Sequence, residues 1–487
     1  MKILKSLNAT IFFILFTILF VSCSKEELII DASISSFHVS TGEIYPAFSP
    51  EIKEYYITSL NTLNSIEVTI DNFDSQKNIY INNKKATSNS TYIKLNIGDD
   101  IVIKSYNEKN EAVIYTVHYM PIDMPKINVI TKNNPSDGYI FINQFHLSNS
   151  NPNSTNYIAI LNNDGFPVYY KKSNNQIINF KYFETNTNQK RYSYNDNTLG
   201  KIIVMDENFN EIKQLELLPN NGHGAIRTDN HDFVYFNDYH YILPAYVNRP
   251  GVNMNAYGGA NSVELIDFAF QEIVNGQVIF EWNSANFPEF LQHTDPIYYN
   301  QFATRPKVDY FHFNSITIDP NDNNFIVSAR HMNQIYKINR TSGQIMWRFG
   351  GSNDDFNLTE NKIISHPHHA TILPNGNLLL FDNGVTKIPK QSRLVEFAID
   401  ENNFTATIVN QYTEIGRYFD IMGSAQKLQN GNYFIGWGGN ITSQVNANKS
   451  DITEVNANGN IVLDMSFSNN PNSFTYSYRA LKYNISF

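Results

Sequence analysis

The sequence predicts an all-β chain, a small N-terminal β-sandwich followed by a six-bladed β-propeller. Three observations carry this expectation. Short, mainly apolar runs alternate with Asn/Asp/Gly turns along the whole length, and helical periodicity is nearly absent. From about residue 140 one hairpin pattern recurs, with His223, Phe313, His368 and Gly423 as equivalent positions spaced by 90, 55 and 55 residues. Four strands per roughly 45 to 55 residues is the period of propeller blades, and residues 140–487 leave room for six. A long twisted sandwich is the alternative fold, but it needs no such period. At 487 residues, 42% apolar and 14% aromatic, the chain can bury cores for two or three units.

The chain begins with Lys2 and Lys5 ahead of an apolar stretch from Ile11 to Val21, too short to span a bilayer comfortably. Residues 1–22 therefore read as a secretory signal peptide. Cys23 is the only cysteine, so no intramolecular disulfide can form. The segment Phe20-Val21-Ser22-Cys23 resembles the bacterial lipoprotein cleavage box, which implies lipidation of Cys23, a tether over 23–31 and an anchor in the outer membrane, facing the periplasm or the cell surface. Lys25-Glu26-Glu27 resembles the surface-export signal of Bacteroidota lipoproteins. The net charge of −10, with no basic run, argues against nucleic acid as a partner.

Residues 32–120 hold the sandwich strands: Ser35 to Val39, Tyr55 to Thr58, Ser65 to Ile70, Ile79 to Ile81, Ile93 to Leu95, Ile101 to Lys104 and Val113 to Tyr119. Turns such as Asn82-Asn83-Lys84 and Gly98-Asp99-Asp100 separate them. Phe48-Ser49-Pro50, Glu54 to Ile57 and Tyr115-Thr116-Val117 resemble cadherin-like modules that precede catalytic domains in bacterial surface proteins. No chemistry is evident there. The proline-bearing stretch from Met120 to Pro125 opens an expected linker, 121–139.

In the propeller, 140–487, the recurring hairpins are expected at 223–236, 314–327, 369–381 and 424–435. Outer strands fill the intervals, as in Gln334 to Asn339, Ile345 to Trp347, Leu394 to Ile399 and Thr407 to Val409. The innermost strand of a blade runs beside the central axis, so the residue just before it faces the axial funnel. His223 and His368 hold that place, His312 lies one residue before it, and Arg330 ends the strand antiparallel to the one after His312. These four should meet in one pocket.

A metal is the first chemistry to weigh, since His366, His368, His369 and His312 supply nitrogen ligands in number. No carboxylate is evident at an equivalent position, and Arg330 would repel a cation, so the expectation is no metal. Arginine with imidazoles suits a tetrahedral oxyanion instead, because guanidinium matches two of its oxygens. His312-Phe313-Asn314-Ser315, Ser328-Ala329-Arg330-His331, Thr341-Ser342-Gly343 with Ile345-Met346-Trp347, His368-His369-Ala370 with Phe381-Asp382-Asn383-Gly384, Ser392-Arg393, Gly423 to Gln426 and Ser477-Tyr478-Arg479-Ala480 together resemble the bacterial arylsulfotransferase family over roughly 210 to 482.

The resemblance implies sulfuryl transfer from a phenolic sulfate ester to a phenolic acceptor, with no nucleotide sulfate donor and no cofactor. The partners implied are those two small molecules, with a homodimer left open. His368 resembles the nucleophile that becomes a sulfohistidine. His223, His312 and Arg330 resemble the residues that bind the sulfuryl oxygens and protonate the departing phenolate, and Asn314 a neighbouring polar contact. Pro367 stands where the family often has Gln. His369 is the alternative nucleophile and otherwise a substrate contact, while the gap-free match of His223 to His368 and Ala225 to Ala370 favours His368. Two further possibilities stay open. Trp347-Arg348-Phe349-Gly350-Gly351 after a Thr-Ser-Gly turn also resembles quinoprotein blades, and a propeller that only binds anionic or sulfated glycans would use the same pocket.

Overall fold

The computed structural model describes residues 32–486 except 41–42, 59–64, 75–77, 97, 147–155, 221–225, 299–304, 415, 441–449 and 468–474. The expected signal peptide, the tether and Cys23 lie outside the described residues, as does His223. Among the described residues no helix is long and apolar enough to cross a membrane.

The N-terminal unit packs a three-stranded sheet (Phe37–Val39, Ser65–Ile70, Ser90–Lys94) on a five-stranded one (Glu54–Ile57, Ala112–Tyr119, Asp100–Tyr106, Asn78–Ile81, Lys84–Lys85). The cause is period-two alternation. In Ser65–Ile70 every second residue, Ile66, Val68 and Ile70, is buried, and in Asp100–Tyr106 Ile101 and Ile103 are. Phe37, Tyr55 and Tyr115 fill the middle of that core. Burying each such side chain stabilises by roughly 1.5–3 kcal/mol.

Among the described residues six further sheets follow in chain order. The second to sixth begin with the strands Ile177–Glu184, Val234–Asn237, Phe313–Ile318, Pro367–Ile372 and Ser424–Lys427, each followed by three more antiparallel neighbours. Strands such as Gln334–Ile338, Leu378–Asp382 and Tyr433–Gly436 are buried on both faces, because each sheet lies between two others. The apolar clusters trace that arrangement. Phe141 and Ile158 of the first sheet meet Phe180 and Ile203 of the second; Val204 meets Phe233 and Leu243; Phe268 and Phe270 meet Phe313 and Phe325; Ile326 and Ile335 meet Leu380 and Val395; Phe381 and Leu394 meet Ile435 and Trp437. Phe434 and Met465 of the last sheet pack on Ile140 and Ala159 of the first. The sheets therefore close into a ring, a β-propeller.

Two elements lock the ring. The C-terminal strand Ala480–Tyr483 pairs with Tyr139–His146 in the first sheet, while Ile127–Lys132 pairs with Ile461–Phe467 in the last. That second strand lies inside 121–139, so this stretch is not the plain linker expected from its prolines. Its strand supplies the last sheet's outer edge. The sandwich is docked as well, since Tyr45, Tyr56, Met120 and Met124 form one apolar cluster with Tyr157 and Phe166 of the first sheet.

The hairpins expected at 314–327, 369–381 and 424–435 are present. The one at 223–236 begins outside the described residues, and among those described its second strand pairs forward in the chain. Val234–Asn237 turns at Asp238-Tyr239 into His240–Val252, a strand of 13 residues that pairs over most of its length with Val263–Val274. That long ladder claims Val234–Asn237 as its neighbour. The stretch from Thr228 to Asp232 carries Asp229 and His231, which join the imidazole cluster described next.

Candidate active site

Backbone pairing fixes the fourth sheet's contribution. Phe313 pairs with Ala329, and Arg330 N–H donates to the His312 carbonyl at 2.9 Å, so the strand before Arg330 and the strand after His312 end side by side. His312 has φ 50° and His366, just before the fifth sheet's first strand, has φ 56°. Both first strands then bulge, between Phe313 and Ser315 and between His368 and Thr371. A bulge re-aims side chains that strict alternation would send elsewhere.

His368 is 3% exposed. Its Nδ1 lies 2.7 Å from Asn383 Oδ1, and Asn383 Nδ2 donates to the carbonyls of Phe419 (2.9 Å) and Met422 (3.0 Å). Those two acceptors fix the amide's orientation, so its oxygen faces His368 and Nδ1 must carry the ring's proton. The lone pair is then on Nε2, which accepts one long hydrogen bond, 3.2 Å, from Met422 N–H. Burial first, and then the Arg330 guanidinium, hold the His368 pKa well below the ordinary imidazole range, with His312 and His231 acting in the same direction. His368 is thus a neutral imidazole under the influence of Arg330, His312 and His231.

Arg330 is gripped by neutral acceptors. Nη1 donates to the Tyr298 hydroxyl (2.8 Å) and lies 2.9 Å from His331 Nε2, and Nη2 donates to the Asp420 carbonyl at 2.9 Å. No carboxylate pairs with it among the described residues, and its buried Nε–H has no partner there. The cation is therefore available to an anion. Tyr298 also donates to His366 Nε2 at 2.8 Å, and its ring stacks on His331 with centroids 3.6 Å apart. Burial, followed by Arg330, pushes the His366 pKa down to about 2.

Two carboxylate–imidazole pairs complete the wall. Asp309 accepts from His312 Nδ1, and Asp229 from His231 Nδ1 at 2.8 Å. The two rings meet edge to face at 5.2 Å, and His231 also abuts Tyr478 at 5.7 Å. Each carboxylate fixes the proton on Nδ1 and leaves Nε2 as the working nitrogen. Burial lowers the His312 pKa despite the opposing Asp309 charge.

Asp309 corrects the expectation that no carboxylate stands at the rim. With His312 and His331 it forms the one group of potential metal ligands among the described residues, within 4.8 Å of one another. The His331 nitrogen that would face an ion already lies against Arg330, and a cation beside that guanidinium is disfavoured.

Of the residues expected from the sequence, the structure brings His312, Arg330 and His368 together. His369 stands apart. Its backbone sits in the bulge at φ 48°, its Nδ1 is bonded to the Ala425 carbonyl at 2.9 Å, and its pKa, pushed to about 3 by burial and then Arg479, responds to Arg479, Asp232 and Lys181 rather than to Arg330. Those three form a buried charge cluster in which Asp232 pairs with both cations. Asn314 is fully buried and donates to the Pro367 carbonyl at 2.6 Å, bracing the backbone just before His368. His231, Asp309, Tyr298 and Asn383 are site residues that the sequence reasoning did not single out, and only the Phe381-Asp382-Asn383-Gly384 motif held a signal for one of them. A cleft of about 1040 Å³ lies elsewhere, between the sandwich and the propeller. It is lined by no imidazole, and its Lys132 is paired with Asp164.

A family model described as Arylsulfotransferase (ASST) matches residues 129–479, more than half of the chain. Among curated proteins no relative matches. Among solved structures, the chain is similar to a protein of unknown function from Bacteroides caccae at 14% identity, covering 71% of this chain and 99% of that one with a TM-score of 0.42. It is also similar to virginiamycin B lyase from Staphylococcus aureus at 13% identity, covering 82% and 96% with a TM-score of 0.34.

Proposed function

The chain belongs to the arylsulfotransferase family, and on that premise we propose that it moves a sulfuryl group from a phenolic sulfate ester to a phenolic acceptor through a covalent sulfohistidine at His368. The observation that carries this is the pairing of a neutral, orientated imidazole with a guanidinium that no carboxylate neutralises. A nucleophile needs the lone pair on His368 Nε2, and the sulfate ester needs the charge on Arg330.

In the first half-reaction the His368 Nε2 lone pair attacks sulfur in line. The N–S bond forms as the ester S–O bond breaks, and the electron pair leaves on the phenolate oxygen. The imidazole gains positive charge, which the Asn383 oxygen stabilises by continuing to accept from Nδ1–H. The Nε–H and second Nη2 hydrogen of Arg330 suit two sulfuryl oxygens, and each such fixed donor is worth roughly 3 to 4 kcal/mol in comparable oxyanion sites. His312, whose Nδ1–H Asp309 holds, can pass a proton to the phenolate only in molecules where Nε2 is also protonated, which burial disfavours; otherwise the phenolate leaves as the anion and takes its proton from water. In the second half-reaction the acceptor's hydroxyl gives its proton to His312 Nε2 as its oxygen attacks sulfur, and the N–S bond electrons return to His368. His312 then returns that proton to water or keeps it for the next departing phenolate, so protons and electrons balance over the two displacements, and the kinetics are ping-pong. His231, held by Asp229 beside His312, is placed to help with either proton.

The test is turnover of 4-nitrophenyl sulfate with phenol. Release of 4-nitrophenol is expected in wild type, in the presence of a chelator too, and a fall of at least about a thousandfold is expected in His368→Ala. Wild-type levels of turnover in His368→Ala would contradict the proposal.

A further inference from the structure

The way Arg330 is held determines which of its edges can meet an anion. A guanidinium has five N–H donors, two on each Nη and one on Nε. His331 Nδ1 lies 2.7 Å from the Asp309 carbonyl oxygen, which can only accept, so Nδ1 carries the proton and His331 Nε2 is an acceptor. That acceptor lies 2.9 Å from Arg330 Nη1, and the Tyr298 hydroxyl oxygen lies 2.8 Å from the same atom. Both Nη1 hydrogens are thereby taken. Nη2 gives one to the Asp420 carbonyl, which leaves its second hydrogen and the Nε–H, and that Nε is buried without a partner among the described residues. Nε and Nη2 form the side edge of the guanidinium fork, the edge that meets an oxyanion bidentately.

His331 cannot drift from this arrangement. Its ring is 8% exposed and is sandwiched between Tyr298, 3.6 Å away, and His312, 4.4 Å away. A carboxylate in its place would grip Arg330 more strongly but cancel the charge. An alkyl side chain would leave the guanidinium free to turn.

We propose that His331 is the positioning residue of the sulfuryl site, a neutral acceptor that, with the Tyr298 hydroxyl, occupies the Nη1 end of Arg330 and so presents the Nε–Nη2 edge to the sulfuryl oxygens with its charge intact. This rests on the transfer reaction proposed above, but it concerns binding of the sulfate group and can be read without turnover.

The experiment uses the full chain and three variants, His331→Gln, His331→Ala and His331→Glu. Two quantities are measured with 4-nitrophenyl sulfate, namely its dissociation constant by calorimetry and kcat/KM with phenol, each beside the melting temperature. Glutamine offers an amide oxygen where Nε2 was. The expected order of affinity and of kcat/KM is wild type, Gln, Ala, Glu. Ala should lie about 10- to 100-fold below wild type, the range for losing a hydrogen bond to a charged group, and Glu lower still even if it melts no earlier than Ala. Three variants equal to one another, or ranked by melting temperature, would overturn the proposal. So would Glu at or above Gln. If no protein turns over the ester but binding keeps this order, the positioning role stands and the transfer reaction falls. If turnover is present without the order, the reverse holds. A wild type that does not bind the ester overturns both.

Discussion

Asn383 decides which nitrogen of His368 can react. Its amide, pinned by two backbone carbonyls, keeps the proton on Nδ1, while burial keeps the ring neutral. Asn383→Asp should undo the second effect, because a carboxylate beside the ring favours imidazolium and raises its pKa. Below the folded pKa the lone pair is lost, so the acid limb for sulfohistidine formation should move to higher pH. With 4-nitrophenyl sulfate, whose phenolate needs little proton assistance, the stopped-flow burst should stay flat from pH 8 to pH 6 in wild type and fall across that window in the variant. Overlaid profiles would contradict this role. At this scale the sequence reveals His312, Arg330 and His368, because a position just before or after a repeated strand is visible as a pattern. It does not reveal Asp309, which a short parallel strand, Lys307–Asp309, sets beside Ile266, nor His231, which lies in the irregular stretch before Val234–Asn237, nor Tyr298, which arrives from a connection outside the repeats.

The elements position the chemistry through irregularities that leave little trace in the sequence. The hairpin after His368 is legible because Pro374-Asn375-Gly376-Asn377 can only turn, whereas the bulge that separates His368 from His369 has no residue signature. The hairpin expected at 223–236 hides the forward pairing of Val234–Asn237 for a related reason. Its polar middle fits a turn, but pairing energy lies in the long strands that follow, and a template match cannot weigh the two. Gly423 illustrates what an element contributes. With φ 109° it makes the corner that leads the Met422 N–H to His368, and a Cβ there would stand 2.4 Å from the fully buried Phe381 ring. Gly423→Ala should therefore destabilise the fold by about 2 kcal/mol or more. It should also slow the burst phase by displacing the segment that faces the nucleophile. A variant with unchanged melting temperature and burst rate would contradict this account of the corner.

Over the whole molecule the closed ring is what gathers distant residues and dries them. Its period is legible from spacing alone. Its closure is not, because Ile127–Lys132 and Ala480–Tyr483 gain their partners only once the far end of the chain arrives. Drying has a measurable consequence. His312, His331, His366, His368 and His369 all have pKa values lowered by burial, to about 2 in His366 and about 3 in His369. Below about pH 6.5 the unfolded chain binds protons that these folded imidazoles refuse, so stability is full above that value and falls as the pH drops. A strongly lowered imidazole contributes a loss of about 2 kcal/mol at pH 5. The melting temperature should accordingly fall steeply from pH 7 to pH 5, and a flat profile would mean that the imidazoles are not buried and neutral. The measurement that reaches the central claim most directly is mass spectrometry of the intact chain and its peptides after mixing with 4-nitrophenyl sulfate in the absence of acceptor. One added SO3 group on His368, discharged when phenol is supplied and absent in His368→Ala, is the expected result. Burst release of 4-nitrophenol with the sulfuryl group on His369 or another residue, or with no adduct at all, would contradict the account.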